Sequence, residues 1–388
     1  MNFNFLSPVS DSVLAHIQLQ AKQCLGRKLK IHSSQYGIPD LDDVKIAIIG
    51  VLENRNDINY LGEDFNLDEI RKMFYSLFPG SWTTEIADLG DIQKGDSTED
   101  TFFALKTIVN ILLTKNIIPV ILGGSQDITY ANYRAYDSVM PMVNIVNVDS
   151  KFDLGDSSKP ITNTSFVGKI ILDQPYNLFN YSILGYQTYF NPQEEIDLLE
   201  KLYFESYRLG EITKDITLVE PVMRDANIVS IDLNSVKASE VSQNQKYSPN
   251  GFDGKEICAI ARYAGISNKV SSIGIYEYKP SKNDDNTTLL VAQIMWYFIE
   301  GVNFRVKDDD FSNENHYQKF ITLADSQELI FYKSVKTGRW WIEIPFSSKI
   351  NNKLKKHTLL PCMHQDYVDA CNNTIPERWY KAFQKNSI

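Results

Sequence analysis

Three polar clusters hold the residue types from which a reactive site can be built. They are Gly123-Gly124-Ser125-Gln126-Asp127, Asp149-Ser150-Lys151-Phe152-Asp153 and Ser230-Ile231-Asp232-Leu233-Asn234. In the last two, acidic or amide side chains recur at every second residue or bracket a lysine, and an extended backbone sends such residues to one face. Carboxylates converging on that face suit a hard divalent cation such as Mn or Mg, which prefers oxygen ligands. Taken singly, each cluster is more simply a capped turn. Only their combination points to a shared site.

For these clusters to meet, the elements before them must align. Between about Lys45 and Gly301, short β-branched runs alternate with helical patterns, the order of a parallel sheet covered on both faces. The expected strands are Lys45–Val51, Thr84–Asp88, Ile117–Leu122, Asn144–Val148, Ser182–Tyr186, Asn227–Asp232 and Val270–Tyr276. Each of the three clusters follows such a strand, at the carboxyl end where α/β sheets place their ligands. A helix is expected over Gly254–Ala264, with Asp253 as N-cap, Glu256 completing a capping box and Gly265 as a left-handed stop. Leu289–Glu300 is apolar almost all round, which predicts burial between layers or at a subunit contact, with Gly301 as its stop.

After Gly301 the pattern changes to successive antiparallel strands, Lys319–Leu323, Glu328–Ser334 and Trp340–Ile344, with Lys336-Thr337-Gly338 as a hairpin turn. The basic stretch Lys349–His357 reads as a solvated loop, and Tyr367–Phe383 as a tail closing with a short helix. The expected architecture is a three-layer α/β/α core with a mainly parallel central sheet, plus a small C-terminal β appendage. The expected division is an N-terminal extension over 1–44, a core over 45–305, and an appendage and tail over 306–388.

Taken in order, the three clusters resemble the metal-binding signatures of the ureohydrolase superfamily, which includes arginase, agmatinase and formimidoylglutamase. Supporting elements are Gly50-Val51 with Glu53-Asn54-Arg55, Asp88-Leu89-Gly90-Asp91, and Tyr276-Glu277-Tyr278-Lys279-Pro280. The family pattern of Gly-Gly-Asp-His-Ser, Asp-Ala-His-x-Asp and Ser-x-Asp-x-Asp implies six side chains on two manganese ions. Measured against it, Gln126 stands for the first histidine, Lys151 for the second and Asn234 for the last aspartate, leaving Asp149, Asp153 and Asp232 unchanged. The five histidines, His16, His32, His316, His357 and His364, all lie outside residues 33–315, so the core itself supplies no imidazole.

Two carboxylates about 4 Å apart repel by roughly 4 kcal/mol at an effective dielectric near 20. The Lys151 ammonium is therefore expected among Asp149, Asp153 and Asp232, in place of the missing cations. The resemblance implies that Glu277 grips the amidine or guanidinium head of a ligand, while its plainer role is to pair with a basic neighbour at a strand end. The expected protein is a pseudoenzyme with a degenerate manganese site and a scaffolding or ligand-sensing role, holding no cofactor. The alternatives are an active C–N hydrolase of a linear amidine or guanidino compound, holding one divalent ion (Mn or Mg) or none, and an assembly component whose appendage binds a protein partner.

With 39 basic residues against 49 acidic ones in 388, the net charge of −10 disfavours nucleic acid as a partner. No stretch has the roughly 20 apolar residues of a membrane span. From four scattered cysteines and an N-terminus without a secretory pattern, the expected location is the cytoplasm, and the family resemblance implies a homo-oligomer. Cys362, His364 and Cys371 are irregularly spaced for a soft-metal site. Trp340 and Trp341 are expected to pack the appendage on the core rather than form a contact surface.

Overall fold

The computed structural model describes residues 3–62, 64–156, 158–241, 248–279, 285–308, 311, 314–345 and 359–387. Its strands, in chain order, are β1 (Leu6–Ser7), β2 (Lys30–Ile31), β3 (Val44–Val51), β4 (Glu85–Ile92), β5 (Ile118–Gly123), β6 (Val143–Val148) and β7 (Leu178–Tyr186). These are followed by β8 (Glu205–Arg208), β9 (Ile228–Asp232), β10 (Ser272–Tyr276), β11 (Tyr317–Ala324), β12 (Gln327–Ser334), β13 (Trp340–Glu343) and β14 (Leu359–Cys362). The first ten form one sheet in the order β1-β4-β3-β5-β10-β9-β6-β7-β8, with β2 also beside β4. Every pairing in it is parallel except that of β1 with β4.

Two apolar layers cover the sheet. Ile46, Ile48, Val120, Val229 and Ile273 look toward one face, where the helices Gly254–Ile266 and Asp285–Asn303 pack. Ala47, Ile49, Ile121 and Ile145 look toward the other, against the helix Thr98–Thr114. Burial on both sides of the pleat explains why these strands read as continuous apolar runs rather than alternating ones.

The capping box of Asp253 and Glu256 forms as expected. Gly265 and Gly301 stop nothing, however, because both lie within their helices, Gly254–Ile266 and Asp285–Asn303. A Cβ on either would run into the backbone of the other helix, so they are contact glycines that let two helices meet closely. Leu290, Val291, Ile294, Met295 and Phe298 are buried in the monomer, while Leu289 and Tyr297 stay exposed.

The C-terminal strands form a separate antiparallel sheet, β11-β12-β13-β14, of which β14 is an addition to the expected three. The expected hairpin turn closes with Gly338 at φ +73°. Two helices follow, His364–Cys371 and Glu377–Ser387, where one was expected. The basic stretch Lys349–His357, expected as a solvated loop, lies wholly outside the described residues, and so does Pro280. No helix among the described residues is long and apolar enough to cross a membrane.

Candidate functional site

Five neighbouring parallel strands, β3, β5, β10, β9 and β6, end on the same side of the sheet and deliver every candidate residue there. Gln126 follows β5, Asp149 to Asp153 follow β6, Asp232 ends β9 with Asn234 just beyond, and Glu277 follows β10. The loop after β3 adds Asn54, Asp57 and Asn59. Gly124 lets the β5 loop lie against the backbone of Glu53, since a Cβ there would strike the Glu53 carbonyl. Asp57, Lys151, Asp153, Asn163, Asp232, Asn234, Glu277 and Lys279 line one cavity of about 730 Å³.

Local turns aim the carboxylates. Asp149 Oδ1 accepts the backbone N–H of Lys151 at 3.0 Å, and Asp232 Oδ1 accepts that of Asn234 at 2.6 Å. These are Asx turns, so the capped-turn reading and the site reading are both correct of the same residues. Asp153 and Glu277 each hold a positive φ, +52° and +63°, a conformation that costs a residue with a Cβ of order 1 kcal/mol or more. Both are buried, at 7% and 2% exposure.

Burial drives the acid chemistry. It pushes the Asp153 carboxyl well above its ordinary range, with Asp149 and Asp232 adding to the effect, and it raises Asp232 likewise, with Asp149 and Glu277 adding. Burial also raises Asp149, although its hydrogen bond with Asp153 opposes this. Burial and mutual repulsion thus push all three carboxyls of this trio the same way, toward the neutral form.

Lys151 does not take the central place expected of it. Its side chain is exposed, its ammonium lies over the Phe190 ring at 5.9 Å, and among the described residues it makes no ion pair within 4.0 Å. A long aliphatic stem lets the ammonium stay in water at the rim, avoiding the desolvation that a central position would impose. From there it lowers the Asp149 and Asp153 carboxyls only weakly, as the last of their influences.

The other two substituted positions are bonded to their surroundings. Gln126 Nε2 donates to Asn147 Oδ1 at 2.8 Å and to Ser230 Oγ at 3.2 Å, and Ser230 is in turn bonded to Thr129. Asn147 passes the network on to Asp149 Oδ2 at 3.3 Å and to the Tyr181 hydroxyl at 3.2 Å. Asn234 Nδ2 donates to Asp232 Oδ2 at 3.3 Å. Amide donors thus point at atoms that a metal would need as ligands. No group of three His, Cys, Asp or Glu among the described residues has the placement to hold a metal. This donor set does not fit a two-manganese centre, which requires bridging carboxylates and several anionic or imidazole ligands.

Glu277 takes the plainer of its two expected roles, pairing with a basic neighbour just beyond its strand. Its Oε1 accepts the backbone N–H of Gln126 at 3.0 Å and Asn163 Nδ2 at 3.1 Å, while Lys279 Nζ stands 3.4 Å from Oε2. Oε2 is buried and accepts no hydrogen bond from the described residues. Burial raises the Glu277 carboxyl, and Lys279 opposes it. Behind it lies Asp127, which burial pushes up to about 7.

Sequence reasoning missed Asp57, Asn147 and Asn163, and held Ser230 only as the opening residue of the third cluster, with no role of its own. Asn147 and Ser230 did carry a signal, as polar residues inside otherwise apolar strands. Asp57 and Asn163 lie in polar loops where nothing sets them apart. No described histidine lines the cavity, and His364 stacks near Trp340 and Tyr367 in the appendage.

Comparison with known proteins gives a consistent result. The sequence model of the arginase family matches residues 44–300. The formimidoylglutamase of Macrococcus caseolyticus is 26% identical over 244 residues, covering 60% of this chain and 76% of that protein. That of Staphylococcus aureus strain MRSA252 is 26% identical over 223 residues, covering 55% and 68%. Among solved structures, Trypanosoma cruzi formiminoglutamase with Mn2+ superposes with a TM-score of 0.62 at 18% identity, over 69% of this chain and 96% of that one. The Bacillus subtilis formimidoylglutamase gives 0.61 at 18% identity, over 71% and 97%. At this identity the structural likeness establishes the fold.

Proposed function

The chain belongs to the arginase family, and from that premise we propose that it is a ureohydrolase-fold protein whose two-manganese chemistry has been lost and whose cavity still binds a small amidine or guanidino ligand, in a sensing or scaffolding role. The observation that carries this reading is the bonding of Gln126 into the Asn147 and Ser230 network, which leaves the first ligand position with an amide committed elsewhere. Glu277 supports the binding half, because it lines the cavity with an Oε2 that accepts no hydrogen bond from the described residues, and a carboxylate holds an amidinium through charge-assisted, paired hydrogen bonds.

The test is elemental analysis of protein purified without chelator, combined with assays on N-formimidoyl-L-glutamate and agmatine. The expected result is manganese far below stoichiometry, no enzyme-like release of formamide, ammonia or urea, and calorimetric binding that Glu277→Gln weakens at least tenfold. Near two manganese ions per chain with rapid turnover overturns it.

A second reading is an active hydrolase of C–N bonds in linear amidines, with one divalent ion or none. The raised Asp149 and Asp153 carboxyls at the cavity favour it, since a carboxyl lifted toward neutrality is suited to accept or donate a proton. Turnover abolished by Asp149→Ala and Asp232→Ala establishes this reading, and turnover indifferent to both removes it.

A further inference from the structure

The Glu277 carboxylate already faces a cation supplied by its own chain. Lys279 Nζ lies 2.5 Å from Asp57 Oδ2 and 3.4 Å from Glu277 Oε2, so one ammonium stands between two buried carboxylates. Both carboxylates are anchored from behind by the same amide. Asn163 Nδ2 donates to Asp57 Oδ1 at 3.2 Å and to Glu277 Oε1 at 3.1 Å, and the backbone N–H of Asn59 donates to Asp57 Oδ1 at 2.8 Å. The outward oxygens, Asp57 Oδ2 and Glu277 Oε2, are therefore the ones left for a cation.

Lys279 fills that place incompletely. It bonds closely to Asp57, yet Glu277 Oε2 accepts no hydrogen bond from the described residues. One ammonium against two carboxylates also leaves a net charge of −1 at the seat. The Asp57 and Glu277 side chains are 4% and 2% exposed, whereas that of Lys279 is 33% exposed. The carboxylates are held by hydrogen bonds from behind, while the lysine is the partly exposed member of the three and lines the cavity.

We propose that Lys279 is a built-in placeholder for the ligand's cationic head, and that Asp57 is the second carboxylate of the seat. A ligand must displace the ammonium to bind, so Lys279 holds affinity down and restricts the seat to heads that do better than an ammonium. A planar amidinium or guanidinium does, because two parallel N–H groups can satisfy Glu277 Oε2 and reach Asp57 Oδ2 together. This inference rests on the ligand-binding reading above and adds to it the self-occupied state of the site.

Calorimetric titration of the full chain with acetamidinium chloride, N-formimidoyl-L-glutamate and agmatine tests it, with methylammonium chloride as the control cation. Lys279→Gln is expected to bind acetamidinium at least tenfold more tightly than the wild type, with a smaller gain for methylammonium. Adding Glu277→Gln to that variant is expected to abolish the gain. Unchanged or weaker binding by Lys279→Gln, while Glu277→Gln still weakens the wild type, overturns the placeholder and leaves the ligand-binding reading standing. Wild type and Glu277→Gln binding alike, or no probe binding to wild type or Lys279→Gln, overturns both.

Since Lys279→Gln leaves Asp57 unpaired, its folding is checked by thermal melting. Asp57→Asn/Lys279→Gln, which removes both halves of the pair, is compared with Asp57→Asn in the same titration. Tighter binding in the double variant supports the placeholder, and equal binding counts against it.

Discussion

The three altered ligand positions differ in how deeply the alteration is built in. Lys151 projects to the rim and Asn234 only tightens its own turn, but Gln126 is held by Asn147 and Ser230, two strand residues that its amide satisfies. Restoring the family pattern with Gln126→His/Lys151→His/Asn234→Asp is therefore expected to give measurable manganese uptake at a cost in stability. The cost arises at position 126, where Asn147 Oδ1 loses its donor, and a buried acceptor left unsatisfied costs about 1–3 kcal/mol. Elemental analysis and urea unfolding check the two halves. If the triple variant takes up no manganese, the obstacle lies in the surrounding amides rather than in the ligand positions. The sequence made the altered positions legible because they interrupt an ordered pattern. The destination of Lys151 was not legible, since whether an ammonium enters a cavity or remains in water depends on burial and on protonation of the facing acids.

At the scale of elements, alternation and apolar runs were enough to locate the seven main strands of the core, because each is largely buried on both faces and stays mostly apolar even where Asp88, Asn147 or Ser230 interrupts it. The short strands escaped notice. β8 is Glu-Ser-Tyr-Arg, and β14 carries Pro361, which an edge strand tolerates. Gly265 and Gly301 were legible as special positions but not as contacts, since a glycine near a helix end looks the same whether it ends the helix or admits a neighbour.

These two missed strands are also where the tail is fastened. Arg378 donates to Glu205 on β8 at 2.7 Å and to the Pro361 carbonyl on β14 at 2.6 Å. Burial alone would raise the Glu205 carboxyl, but Arg378 outweighs it and holds the group below its ordinary range. Arg378→Met leaves Glu205 buried with its main partner gone, and breaking such a pair costs roughly 3–5 kcal/mol. The expected outcome is a lower melting temperature and faster proteolysis within residues 359–387. Because the folded pKa is lowered, this stabilisation is complete above the ordinary glutamate range near about 4.3 and is lost as pH falls through the lowered value. The difference between wild type and variant is accordingly expected to shrink below about pH 4, and a gap that persists there would assign the effect to packing instead.

For the whole molecule, the question is whether the C-terminal sheet behaves as an independent unit. Its seam with the core answers through Arg224, which sits on the core helix Val219–Asp225 and reaches across. Arg224 donates to the carbonyls of Trp340 and Cys362, each at 3.0 Å, and its guanidinium lies 4.6 Å from the Trp341 ring. Glu220 on the same helix pairs with both Arg224 and Arg339. The Trp341 ring thus packs the appendage against the core as expected, whereas the Trp340 ring packs within the appendage beside Phe320, His364 and Tyr367, and Arg224 is buried at the seam. Separating the two parts would take from Arg224 its two carbonyl acceptors and from Arg339 its Glu220 partner. Full-length protein is expected to melt in a single calorimetric transition, and deletion of residues 306–388 to lower the midpoint of what remains. Two resolved transitions, or a truncated core that melts unchanged, would mean that the seam carries no stability. The appendage would then be free to serve a partner instead of the core.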